Sequence, residues 1–240
     1  MSTTARPNFK IHPPGLGQGY SMRCVVRDAG RIAMTSPIAG SRFSMADQTD
    51  TKKARTTLSV SQLTCIELFE GLGHEKAVSG ELEVTINFHP DRLTLSGIPL
   101  LHAIAKDGVL KCQFETGTSN GGLSAFPGGG RWAWESRAFK GSYDSGEPSA
   151  RPKYGALNYK KLGSGGSPRF GSSYFKLKPE LLDRTTFCYP ESFFGPRSYG
   201  VGCRVGHLIE MADADETDLL DNYIEAHIRR CVRSGTRSFE

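Results

Sequence analysis

Glu81-Leu82-Glu83-Val84-Thr85-Ile86-Asn87-Phe88-His89-Pro90-Asp91-Arg92 alternates apolar and polar residues and then breaks. Leu82, Val84, Ile86 and Phe88 share one face of a strand, while Glu83, Thr85, Asn87 and His89 share the other. Pro90 has no N–H to give a ladder, so the strand ends there and sets His89, Asp91 and Arg92 at its mouth. An arginine fixed at a strand end offers a rigid fork of donors to phosphate or carboxylate. On these residues alone, a solvated turn after a core strand is the commoner outcome.

Upstream, residues from Asp50 to Leu72 predict a helix: Asp50 or Thr51 caps it, Leu58, Gln62, Ile66 and Phe69 form its stripe, and Gly71 and Gly73 end it. Downstream, Ser96 is placed to cap a short helix carrying Ile98, Leu101, Ile104 and Ala105, closed by Asp107-Gly108. Val109 to Phe114 reads as extended and leads into the polar loop Gly117-Thr118-Ser119-Asn120-Gly121-Gly122. Trp132 to Phe139 predicts a short helix with aromatic anchors. Strands are expected at 153–159, 170–177 and 185–189, and an acidic turn or short helix at 213–222. Tyr223-Ile224-Glu225-Ala226-His227-Ile228-Arg229 then alternates again. A helical stripe of Leu220, Ile224, His227 and Cys231 also fits this segment, but the period of two is cleaner and favours a strand.

The chain has 240 residues, enough for one large domain or a domain with an N-terminal appendage. Its 28 glycines and 13 prolines make it turn-rich, which argues against a helical bundle. The net charge of +5 is spread out and builds no nucleic-acid arm. Six cysteines stand without zinc spacing, so no metal is expected and a reducing compartment fits. No apolar run could span a bilayer, and the N-terminus carries no secretory signal peptide. Residues 1–50 are broken by Pro and Gly and read as a flexible segment.

Three features carry candidate chemistry. The 117–122 loop offers hydroxyls, an amide and freely oriented N–H groups suited to phosphate or ribose oxygens; it matches neither a P-loop nor a dinucleotide fingerprint, and an ordinary turn explains it equally well. Glu225, beside Tyr223 and His227 on the polar face of its strand, is the best catalytic carboxylate, able to stabilise an oxocarbenium-like centre or accept a proton. Its bland alternative is a solvent-facing strand glutamate. Arg151, Arg169 and Arg184 repeat the strand-edge placement of Arg92 and suit a diphosphate, or else serve as rim charges. No cysteine and histidine fall into a nucleophile signature.

Taken in order, Asn87–Arg92, Gln113–Leu123, Arg151–Asn158, Pro168–Leu177, Arg184–Phe187 and Tyr223–Ile228 resemble a bacterial effector ADP-ribosyltransferase family of the CteC type. The likeness runs from about residue 52 to 232. It implies an α+β, ADP-ribosyltransferase-like fold over 51–240, with two small sheets forming a split NAD cleft and flanking helices. It also implies a catalytic set of Arg92, Ser173 and Glu225. NAD, as substrate, would be held by His89, Arg92, Thr118, Ser119, Asn120, Gly121, Tyr154, Arg169 and Ser172. Ser172 and Ser173 are both open as the middle serine. The family usually has Gln or Glu two residues before the glutamate; Tyr223 stands there, which counts against arginine as the acceptor.

The implied function is mono-ADP-ribosyl transfer from NAD to a host protein. The family suggests a threonine of ubiquitin, which would block ubiquitination. The chain would then be a monomeric toxin-like effector secreted into the host cytosol, with residues 1–50 as its translocation segment and no nucleic-acid, membrane or metal partner. A non-catalytic module binding a nucleotide or an acidic protein is the alternative, and a metal-dependent nucleotide hydrolase a weaker one.

Overall fold

The computed structural model describes residues 23–25, 55, 57–117, 124–215 and 223–229. Its strands are β1 (Arg23–Val25), β2 (Val84–Phe88), β3 (Lys153–Leu157), β4 (Ser173–Lys176), β5 (Thr185–Tyr189), β6 (Ser198–Val201) and β7 (Glu225–Ile228). They form one sheet in the order β1-β4-β2-β3-β7-β5-β6. Every pairing is antiparallel except β1 on β4, which is parallel. The protein is α+β, as expected, but the expected pair of small sheets is corrected to one. The reason is β7: His227 registers with Tyr154 on one side and with Thr186 on the other, so this strand joins both halves.

The two faces follow from the period of two. On one face Val84, Leu157, Phe187, Tyr189, Ile224, Ala226 and Ile228 pack with Leu208 and Ala212 of a helix over Gly206–Ala214. On the other, the register lines up Thr85, Ala156, Glu225, Cys188 and Tyr199 in one row, with Tyr154, His227, Thr186 and Val201 in the next. That second face is polar and would be costly to bury unpaired. It is covered by the helices Val60–Leu72 and Gly130–Ala138, whose Ile66, Phe69, Phe139 and adjoining Tyr143 form a second apolar cluster. Full burial of a side chain such as Phe69 or Ile66 contributes about 1.5–3 kcal/mol.

In chain order the helices are α1 (Val60–Leu72), α2 (Leu100–Asp107), α3 (Gln113–Thr116), α4 (Gly130–Ala138) and α5 (Gly206–Ala214). The described α1 begins at Val60 because Ser59 and Gln62 close a capping box, with Gln62 N–H on Ser59 Oγ at 3.3 Å and Ser59 N–H on Gln62 Oε1 at 3.0 Å. Leu58 therefore precedes the helix, and Gly71 lies inside it. α2 starts after Pro99 and not at Ser96, whose hydroxyl lies 3.0 Å from Thr94 Oγ1 in the preceding turn. Gly108 closes α2 in the left-handed region, as expected.

The extended reading of 109–114 is corrected at its end. Glu115 Oε2 takes the Cys112 N–H at 2.7 Å and caps the single turn α3. The 170–177 strand shortens to β4 because Pro168–Phe170 forms a 3-10 turn. Sequence reasoning missed β6 and α5 altogether. Of residues 1–50, the described ones form β1, so that segment is not irregular throughout. No described helix is long and apolar enough to cross a membrane.

Candidate functional site

Glu225 lies on β7, an interior strand between β3 and β5, and is only 3 % exposed. A solvent-facing strand glutamate is thereby replaced by a buried one, which must be satisfied to be tolerated. The Ser192 backbone N–H donates to its Oε2 at 2.7 Å, and His227 Nε2 stands 3.3 Å from its Oε1. A fully buried arginine, Arg229, fixes that histidine. Arg229 Nη1 donates to Thr186 Oγ1 at 2.7 Å, which leaves the threonine proton for His227 Nδ1 at 3.2 Å. His227 therefore carries its own proton on Nε2, facing the carboxylate.

The electrostatics agree with this direction of donation. Burial pushes the His227 ring below its ordinary value, and with the Arg229 and Arg131 charges it outweighs the pull of Glu225, so the ring is neutral. Burial acts to raise the Glu225 carboxyl, but the His227 and Ser192 donors outweigh it and hold the group below the usual carboxylate range. Glu225 is thus a desolvated, ionised carboxylate held at both oxygens.

A second carboxylate adjoins it. Glu191, 2 % exposed, binds Arg169 Nη2 through Oε1 at 2.5 Å and hydrogen-bonds the Tyr223 side chain. Burial and the nearby Glu225 charge raise its carboxyl above the usual range, only partly offset by Tyr223 and Arg169. Arg169 also lies over the rings of Phe170, at 4.8 Å, and Tyr223, at 5.4 Å. This turn can approach the sheet because of Gly171: a Cβ there would sit 2.0 Å from the Phe88 carbonyl, and its φ is +143. Asn87 pins the turn, donating to the Ser164 carbonyl at 2.8 Å and the Gly171 carbonyl at 3.0 Å.

From α4, Arg131 enters the same electrostatic neighbourhood: burial acts to lower its pKa, but Tyr154, Glu225 and Glu135 beside it outweigh that and raise it. Its guanidinium lies 4.1 Å over the Tyr154 ring and 4.8 Å over Trp134. Arg131 Nε is buried and has no hydrogen-bond partner among the described residues; its ion pair with Glu135 is 3.6 Å long. Glu135 is committed elsewhere, to Arg151 Nη1 at 2.7 Å and the Tyr154 hydroxyl at 2.8 Å. Arg151, 3 % exposed, is therefore a core ion-pair partner and not a diphosphate ligand.

The expected catalytic set is not brought together. Arg92 is exposed in the turn after β2, and Ser173 pairs with Phe88 on β4, beside exposed Ser172 and half-buried His89. These four residues gather at one end of β2. β4 and β7 are separated by β2 and β3, three strand steps, or roughly 14 Å along the sheet. Tyr154 and Arg169 do stand at the Glu225 site. Thr118, Ser119, Asn120 and Gly121 lie outside the described residues. Sequence reasoning missed Arg131 and Glu191; a carboxylate directly before the Ser192 that follows a strand was the signal for the second.

Cys188, Glu225 and His227 bring their donor atoms within 4.8 Å of one another, a grouping that the spacing of the cysteines did not suggest. Both Glu225 oxygens already hold N–H donors, and the Cys188 thiol is pushed well up by burial. The trio is a hydrogen-bonded cluster. A family model described as a protein of unknown function (DUF3626) matches residues 83–210, more than half of the chain. No curated protein matches it.

Proposed function

This chain belongs to the DUF3626 family, and on that footing we propose that it is an NAD-dependent mono-ADP-ribosyltransferase with an ADP-ribosyltransferase-like cleft around Glu225. The observation that carries the reading is the ionised Glu225 carboxylate, desolvated on a rigid strand and held at both oxygens. Fixed negative charge in a site of low dielectric is what a developing oxocarbenium ion needs. The resemblance of the motif order to CteC-type effectors supports the same chemistry.

In this reaction NAD is the substrate. The ribose–nicotinamide C–N bond breaks with its electron pair leaving on nicotinamide, and Glu225 stabilises the cationic ribose. An acceptor hydroxyl then bonds the anomeric carbon and gives up its proton. Arg131, whose buried Nε makes no hydrogen bond among the described residues and whose guanidinium has an aromatic bed, is suited to the NAD diphosphate. Tyr223 and Phe170 offer flat apolar surface beside Glu225. The acceptor we favour is a threonine of host ubiquitin, with the chain delivered as a secreted effector that blocks ubiquitination.

The test is incubation of the purified chain with NAD and ubiquitin, followed by intact-mass analysis and assay of free nicotinamide. A gain of one ADP-ribose on ubiquitin supports the proposal. Nicotinamide release without ubiquitin modification keeps the NAD chemistry and removes this acceptor. NAD binding without turnover makes the chain a binding module instead.

A further inference from the structure

Glu191 and Glu225 occupy neighbouring positions around one stretch of backbone, since the N–H that grips Glu225 belongs to Ser192, the residue after Glu191. The two carboxylates have opposite settings. Glu225 takes two N–H donors and stands beside Arg131. Glu191 faces Arg169 from the 168–170 turn, the Tyr223 hydroxyl from the residues just before β7, and the Glu225 charge from β7 itself. Paired carboxylates with divergent affinities for a proton divide a reaction between them: the one that stays ionised stabilises charge, and the one nearer neutrality exchanges protons.

We propose that Glu191 is the general base of this site, receiving the proton of the acceptor hydroxyl while Glu225 stabilises the ribose cation. This rests on the transferase reading above. As the acceptor oxygen bonds the anomeric carbon, its O–H bond breaks and the proton passes to a Glu191 oxygen. The leaving electron pair has already gone to nicotinamide, so charge balances without a further reactant. His227 is unsuited to the task, because its Nδ1 accepts from Thr186 and its Nε2 carries a proton toward Glu225. Tyr223 is unsuited as well: its hydroxyl is held far above neutrality, first by burial and then by the two carboxylates. Arg169 keeps the Glu191 carboxylate from moving toward Glu225.

The experiment compares wild-type protein, Glu191→Gln and Glu191→Asp over a range of pH, reading kcat and KM for NAD with ubiquitin as acceptor, and nicotinamide release with water as acceptor. Loss of a positioned base lowers kcat by about 10²–10⁴ fold. Glu191→Gln should show that fall with KM for NAD little changed and should lose the acidic limb of the wild-type pH–rate profile, while Glu191→Asp recovers part of both. If Glu191→Gln keeps the acidic limb, or loses rate through KM alone, Glu191 only holds Arg169 and the proposal fails. If Glu191→Gln does not fold, Glu191→Asp decides: an unshifted limb with undiminished kcat overturns the assignment. A wild type that releases no nicotinamide removes the transferase reading and this one together.

Discussion

Ser192 gives its backbone N–H to Glu225 Oε2 across 2.7 Å. A backbone donor cannot rotate away, so this bond fixes the carboxylate plane more firmly than a side-chain partner would. It also makes the geometry of β7 depend on the chain that leaves β5.

Glu225→Gln keeps the shape but removes the charge, and it turns an amide group toward the His227 or Ser192 donors. We expect nicotinamide release to fall by about 10²–10³ fold, the scale for losing one preorganised electrostatic partner. The far-ultraviolet spectrum should be preserved. Full turnover by the folded variant would remove Glu225 from catalysis.

Arg131→Ala and Arg92→Ala separate two placements of the diphosphate-binding arginine. Loss of a charge-assisted contact costs about 1.5–3 kcal/mol, or at least about tenfold in affinity. Isothermal titration with NAD should show that loss for Arg131→Ala and a smaller one for Arg92→Ala. The reverse order would put NAD at the Ser173 end of β2.

The neutral His227 makes stability depend on pH. Its folded pKa lies below the ordinary value of 6.5, so the unfolded chain binds a proton first as pH falls past that value. Its stabilising share is present above pH 6.5 and declines as pH drops toward the folded pKa. Glu225 adds a loss of the same sign below pH 4.5, its ordinary value. His207, lowered by burial, titrates in the same sense as His227. Thermal melts should therefore show a slope between pH 7 and pH 5 that flattens in His227→Phe, even though the variant is less stable at pH 8. An unchanged slope would mean that His227 is not buried neutral.

Gly171→Ala places a methyl group 2.0 Å from the Phe88 carbonyl at a backbone angle that L residues rarely adopt. Overpacking and strain of this kind cost about 1–3 kcal/mol each. Both the melting temperature and the turnover should drop, because the turn that carries Arg169 onto Glu191 must shift. A variant with wild-type melting and turnover would show that the turn has another seat.

Much of the architecture was legible in side-chain period. Val84–Phe88 and Glu225–Ile228 alternate clearly, and Thr185–Tyr189 falls between turn formers, so all three strands emerge from the sequence. Gly206–Ala214 was missed because a helix of only nine residues shows little stripe and has no side-chain cap. Joining of the halves into one sheet was hidden too, since pairing of β7 with both β3 and β5 is a long-range choice. In the site, Glu225 was legible from its strand. Arg131 was not, because its role depends on a bed of Tyr154 that comes from another element. Arg92 and Ser173 were expected beside Glu225, but Arg92 follows β2, two strand steps from β7, and Ser173 lies on β4, three steps away.

Since β7 is laced to β3 and β5 along its length, Glu225 cannot step aside without unzipping the middle of the sheet. Whatever admits a ligand to this sealed carboxylate must therefore be the coverings: the 168–170 turn held by Gly171 and the start of α4. The carboxylate is the floor and these are the shutters. Amide exchange in the absence of ligand should thus be fast in the shutters and slow along Glu225–Ile228.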